Sequence, residues 1–250
     1  MFLLLTLTLA AVPTTPAELA AMTEADRRAR LSQLSREEVE QVLRDTPPDA
    51  LLQLSATAIN ALGTYQYTMV KEERISGTVK PAQTILVTIQ EAPQAIRLEY
   101  LKGPGAGRKV IFNAAVKAKA FKVREAGFLS FAPMWLDVNS PLAKGDSNHT
   151  VPEAGLGALV RRLQGEQARA AGTLTVTHEG WRDDGQFCSL YISGAKTEHA
   201  STRICTDPKL GVPMRVEGFD PQGQLLERYV FSGLKPVQAD SKTFDPDQGL

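Results

Sequence analysis

The chain has 250 residues, of which 43% are hydrophobic and 22% charged, and this ordinary globular usage excludes collagenous, coiled-coil and wholly disordered chains. Lys+Arg and Asp+Glu both number 28, so the formal charge is zero and the basic excess of a nucleic-acid binder is missing. Three histidines and two cysteines leave little material for a metal site.

Residues 2 to 12 form an uncharged apolar run. It is shorter than the roughly 20 residues a spanning helix needs, and it matches the core of a secretory signal. Residues 1–17 therefore read as a signal peptide, with Thr15-Pro16-Ala17 or Thr8-Leu9-Ala10 as the cleavage site. No Lys or Arg precedes the run, and the other reading is an apolar first helix packed on the core. No cysteine follows it, so the expectation is a periplasmic protein without a lipid anchor and with no membrane span in the mature chain.

A helical segment is predicted over 18–46. Thr23 to Asp26 and Ser35 to Glu38 fit the capping-box pattern, and Val39, Val42 and Leu43 share one helix face. Thr46-Pro47-Pro48-Asp49 stops this helix and starts another, with Leu51, Leu54, Ala58, Ile59 and Leu62 as its apolar face and Gly63 at its end. From Tyr65 the period becomes two. Tyr65, Tyr67 and Met69, the run Thr84 to Gln90, then Ile96, Leu98 and Tyr100, Val110 with Phe112, and Phe121 with Val123 read as an antiparallel meander. Lys71-Glu72-Glu73-Arg74 ends the first strand, and alternation turns one charged pair inward or to a rim: either a solvated edge or a polar lining at a cavity mouth. The glycine-rich stretch 103–107 lies between strands and reads as a hairpin loop.

Residues 126–152 lack periodicity but hold Phe128, Phe131, Met134, Trp135 and Leu136. A helix is expected from about Pro152, with Leu156, Leu159, Val160 and Leu163 on one face and Arg161, Arg162 and Glu166 on the other. Strands resume over 173–178, 187–193, 201–206, 212–219 and 224–234, with turns at Arg182 to Gln186 and Asp220 to Gly223. This order gives an α+β fold with an antiparallel sheet. Cys188 and Cys205 lie on successive strands; if these pair, export favours a disulfide, and two buried thiols are the other reading. No nucleophile elbow, phosphate loop or zinc-protease histidine pair is present. His149, His178 and His199 are far apart and read as surface or hydrogen-bonded histidines, so no catalytic residue, metal or cofactor is expected.

Several segments, in order, resemble a bacterial family known only as domain-of-unknown-function family 1571. They are Tyr67 to Gly77, Ile96 to Tyr100, Gly107 to Phe112 and Ser147 to Gly157. The tail, with Gly211 to Met214, Asp220 to Gly223 and Tyr229 to Leu234, also resembles the end of LolA-like lipoprotein-carrier domains. The resemblance implies that residues 47–250 form a LolA-like domain: a strongly curved, unclosed antiparallel half-barrel with helices on its concave face. It implies a non-catalytic envelope carrier whose apolar cavity takes a lipid or an acylated lipoprotein. The alternative is a structural module that binds an envelope protein. A third reading, an unrecognised hydrolase, would need Glu73, His149 and Asp183 to converge. The superfamily's pocket is defined by general apolarity, so the candidate lining is Tyr67, Met69, Val87, Ile89, Leu98, Tyr100, Phe112, Phe121, Met134 and Trp135, each of which is otherwise ordinary core.

Overall fold

The computed structural model describes residues 15–127, 132–145, 147–194 and 199–250. Most of the signal-peptide reading, with Phe128 and Phe131, lies outside the described residues. Four helices come first: α1 (Pro16–Ala21), α2 (Glu24–Gln33), α3 (Arg36–Asp45) and α4 (Pro48–Leu62). Ser35 caps α3 in a full capping box, its hydroxyl accepting from the Glu38 amide while Glu38 Oε2 accepts from the Ser35 amide at 2.7 Å. Ser35→Ala should cost about 1 kcal/mol in a denaturant melt, and Ser35→Gly only a few tenths. A capping box at Thr15 starts α1 inside the stretch read as a cleavage site.

The sheet follows: β1 (Thr64–Ile75), β2 (Thr78–Val79), β3 (Gln83–Gln90), β4 (Ala95–Lys102) and β5 (Lys109–Asn113). After the short α5 (Ala114–Lys117) come β6 (Ala120–Arg124) and β7 (Met134–Asp137), then α6 (Pro141–Lys144), a 3₁₀ turn (Val151–Ala154) and α7 (Leu156–Arg169). The chain closes with β8 (Thr175–Trp181), β9 (Phe187–Ile192), β10 (Ser201–Asp207), β11 (Val212–Phe219) and β12 (Leu225–Pro236). The strands run antiparallel in the order β7-β6-β5-β4-β3-β1-β12-β11-β10-β9-β8, with β2 paired to β1. β7 and β8 do not meet, so the sheet is unclosed.

One core cluster contains Phe121 and Val123 of β6, Tyr191 of β9, and the buried faces of α4 and α7. Laid flat, those nine strands would span roughly 38 Å, whereas two helices side by side cover about 20 Å. The sheet must therefore wrap around the helix pair, and the expected half-barrel with helices on its concave face is the observed architecture. Leu156, Leu159, Val160 and Leu163 of α7 are buried as the helical spacing requires. In α4 the buried set is Leu52, Ser55, Ala58 and Ile59, one residue displaced from the expected Leu51 and Leu54. Ser55 is accommodated because its hydroxyl donates to the Leu51 carbonyl at 3.0 Å.

Cys188 and Cys205 are direct cross-strand partners and form a disulfide, with Cα atoms 4.0 Å apart. The expected turns are present: Arg182 N donates to the Gln186 carbonyl at 2.8 Å, and Asp220 N to that of Gln224 at 3.0 Å. β2, α5, β7 and α6 are additional to the sequence-based elements. Among the described residues no helix is long and apolar enough to cross a membrane.

Candidate functional site

Two of the sequence segments that carry the family resemblance bind each other. The segment from Ser147 to α7 lies across the inner face of β1, β3 and β4. The Tyr67 hydroxyl donates to the Ala154 carbonyl at 2.5 Å. Gln94 Nε2 donates to the Pro152 carbonyl at 2.8 Å. Ser147 Oγ and the Asn148 amide donate to the two Glu73 oxygens at 3.2 and 3.1 Å. At the start of α7, Glu91 Oε1 accepts from the Tyr65 hydroxyl at 2.6 Å and from the Gly157 amide at 3.2 Å, placing a carboxylate against a helix N-terminus. A Cβ on Gly157 would fall 2.6 Å from both Glu91 oxygens, so a larger residue here would push the carboxylate off the helix N-terminus. Burial, with the neighbouring charge of Glu91 adding to it, raises both the Tyr65 and Tyr67 phenols well above the ordinary tyrosine range, so both hydroxyls remain donors.

Past these tethers the inner face changes from apolar to charged. Lys71 and Glu73 are the inward pair of the charge run, both buried, with Lys71 Nζ 3.3 Å from Glu73 Oε2. Beside them on β12 stand Glu227, only 2% exposed, and Tyr229, whose hydroxyl donates to Glu73 and lies 3.3 Å from Glu227 Oε2. Arg162 of α7 donates to Glu227 Oε1 at 2.5 Å, and His149 Nε2 sits 2.7 Å from Oε2. His199 reaches the same carboxylate at 3.5 Å, over Gly218, where a Cβ would come within 2.5 Å of the imidazole Cδ2. Burial opposes ionisation of Glu227, yet the hydrogen bonds from His149 and His199 and the Arg162 charge hold its carboxyl well below the usual range. The hydrogen bond to Glu227 raises His199, against the opposing effect of burial. Burial and then the Glu227 and Glu73 charges push the Tyr229 phenol far up.

Glu73, His149 and Glu227 present ligand-type atoms within 4.8 Å of one another. They fit a divalent cation poorly. Lys71 and Arg162 already neutralise the two carboxylates, so an added divalent charge would leave this half-buried cluster strongly positive. Glu73 and His149 thus converge, but their third partner is Glu227. Asp183 lies in the exposed β8–β9 turn, on a hairpin remote from Glu227.

A cavity of about 100 Å³ lies between these polar groups and the 3₁₀ turn, under the N-terminal half of α7. Its apolar wall includes Met69, Ile85, Leu98, Leu156, Leu159 and Phe231; Lys71, Glu73, His149 and Arg162 form its polar end. A second void of about 90 Å³ lies under the C-terminal half of α7, lined by Leu163, Tyr191, His199 and Ile204 among others. Arg162 lines the first void and His199 the second, and both bind Glu227, so the charged cluster separates the two.

Of the candidate lining residues, Met69, Leu98 and Tyr100 face the cavity. Tyr67, Val87, Ile89, Phe112 and Phe121 are buried in the surrounding core. Met134 and Trp135 stand at the opposite extreme: they are 47% and 36% exposed on β7, which among the described residues has a neighbour on only one side. Glu227, Tyr229, Arg162 and His199 were not anticipated. Arg162 in particular belongs, by helical spacing, to the polar face of α7; its length carries the guanidinium back to the sheet. Gly218, in the middle of a strand, was the one local signal that a bulky neighbour approaches there.

No curated protein matches the sequence. Among solved structures, an uncharacterized conserved protein from Thermus thermophilus is similar over 78% of this chain and 90% of its own, at 12% identity and a TM-score of 0.44. A putative outer membrane lipoprotein-sorting protein domain from Vibrio parahaemolyticus is similar over 80% and 96%, at 11% identity and a TM-score of 0.43. The Mycobacterium tuberculosis lipoprotein LppX is similar over 78% and 100%, at 14% identity and a TM-score of 0.43. Residues 62–249, most of the sequence, match the family described as "Protein of unknown function (DUF1571)", and the chain belongs to it.

Proposed function

We propose that this protein is a non-catalytic binder or carrier of the cell envelope, acting in the periplasm, that holds the acyl chain of a lipid or acylated lipoprotein on the inner face of its half-barrel. The observation that carries this reading is the cavity under α7, apolar along one wall and charged at one end. Apolar enclosures with a few convergent polar groups are the usual form of small-ligand sites. Each buried methylene contributes about 0.8 kcal/mol, so a chain needs no specific partner along its length.

The volume sets the mechanism. At about 100 Å³, the partly open cavity has room for a short stretch of chain only. A longer chain requires α7 and the 3₁₀ turn to lift, joining the cavity to the void under the other half of α7. The 3₁₀ turn and α7 then act as a lid, and the Tyr67, Gln94, Glu73 and Glu227 contacts are its fastenings.

Native mass spectrometry of the protein purified from a membrane-containing host, followed by organic extraction, tests this. A co-purifying lipid near one per chain is expected, and Leu98→Trp, which fills the void from the sheet side, should lose it while keeping the wild-type circular dichroism spectrum. A clean apo mass, with no uptake of added phospholipid or acylated peptide, would overturn the reading in favour of a protein-binding scaffold.

A further inference from the structure

The stretch that turns the sheet's β7 edge has a surface unlike the rest of the molecule. Among the described residues, seven large hydrophobic side chains are exposed, and four of them, Val116, Met134, Trp135 and Leu142, lie between Ala114 and Lys144. The same stretch carries Lys117, Lys119, Lys122, Arg124 and Lys144 against only Glu125 and Asp137, in a chain whose net charge is zero. The two features are interleaved. The Lys117 ammonium stands 4.6 Å from the centroid of the Trp135 ring and that of Lys122 5.8 Å, with Lys122 also bridged to Asp247 at 2.5 Å. Trp135 and Met134 project to opposite sides of an edge strand, so the strand presents apolar groups from both faces.

We infer that this edge is a docking surface for an anionic lipid bilayer. An indole with a lysine ammonium over its ring suits the headgroup boundary, where the ring finds apolar surroundings and the exposed Lys117 and Lys119 meet phosphates. Each lysine close to an anionic surface contributes about 1 kcal/mol, so several weak contacts add to reversible attachment. A protein partner at a bare edge strand would instead favour a neutral apolar strip, and four lysines in and around this one oppose edge-to-edge pairing of two copies.

The position relative to the cavity gives the surface a use. Leu142 of α6 is 79% exposed, while its neighbour Ala143 lines the cavity under α7. A bilayer touching Leu142 therefore lies one residue from the cavity wall, and α6 marks where a chain would pass between bilayer and protein. This last step rests on the acyl-binding reading; the docking itself does not.

Co-flotation of the whole protein with vesicles tests it. Vesicles of phosphatidylglycerol and phosphatidylethanolamine should carry the protein with them, pure phosphatidylcholine vesicles should not, and raised salt should release it. In a Trp181→Phe background the remaining indole is Trp135, and its emission should shift to the blue and be quenched by brominated lipid. Lys117→Gln and Lys119→Gln should each weaken vesicle binding about fivefold, and Leu142→Gln should abolish the transfer of lipid into the protein while leaving binding of a monomeric fluorescent fatty acid unchanged. That soluble probe separates the two readings, since loss of its binding would strike the cavity and not the surface. No flotation with anionic vesicles, or a Trp135 environment altered only by self-association, would overturn the docking surface.

Discussion

Replacing Glu227 with alanine is expected to lower the melting temperature by about 6–12 °C, which corresponds to about 3 kcal/mol in a chain of this size. The carboxylate is 2% exposed and is shared by Arg162, His149 and His199. Its removal leaves a half-buried guanidinium without its closest counter-charge, next to a lysine and two imidazoles. Removing both members of the ion pair, as in Glu227→Leu with Arg162→Leu, should cost less than Glu227→Ala alone, because the guanidinium is then no longer left without its counter-charge. A Glu227→Ala protein that melts within a degree of wild type would show that the cluster adds nothing to stability.

The same residue fixes the pH dependence. The Glu227 carboxyl titrates below its ordinary value of about 4.3, so its contribution is complete above that pH and is lost as pH falls toward the lowered value. Glu227→Gln imitates the protonated side chain. The gap between its melting temperature and that of wild type should be open at pH 6 and should close on acidification. His199 acts in the other direction. Its raised value means that its contribution is present below about 6.5 and fades as pH rises through the raised value. Wild-type stability should therefore peak between these limits, and a flat profile from about pH 3 to 8 would contradict the pairing.

The outline of the half-barrel was legible in the sequence because its signals are local. Alternation in β1, β3 and β4, the four-residue apolar face of α7 and the turn at Asp220 to Gly223 each follow from the residues within one element. Alternation also turned Lys71 and Glu73 to the same face, which the fold makes the inner one. The charged cluster was not legible, because it is assembled from five places: β1, the loop before the 3₁₀ turn, α7, the loop before β10, and β12. Nothing near Glu227 in sequence distinguishes it from Glu217, a similarly buried glutamate of β11 that pairs with Arg203 and Arg228 away from the cavity. β7 was missed for a different reason. Four residues inside a long apolar stretch are too few to establish a period, and its Trp135, a large apolar side chain, reads as core until the sheet is seen to end there.

Loosening the lid should make the protein less stable and a better binder at once. The bond from the Tyr67 hydroxyl to the Ala154 carbonyl exists only while the 3₁₀ turn rests on the sheet. Tyr67→Phe removes it with little change of shape and leaves a carbonyl unpaired, at a cost of about 1 kcal/mol to the closed form. That loss is felt against the unfolded chain, as a lower melting temperature. It is felt equally against the lid-open form, whose population should rise about fivefold. If acyl chains enter only the open form, apparent affinity for a fluorescent fatty acid rises by the same factor while the open form remains the minor one. Adding Gln94→Ala, which removes the neighbouring bond to the Pro152 carbonyl, should bring the gain to roughly 25-fold if the two tethers act independently. A static cavity makes the contrary prediction: stability would fall as before, and affinity would stay level or drop with it. The two measurements on one protein therefore separate a lid from a wall, since only a lid lets a destabilising substitution strengthen binding.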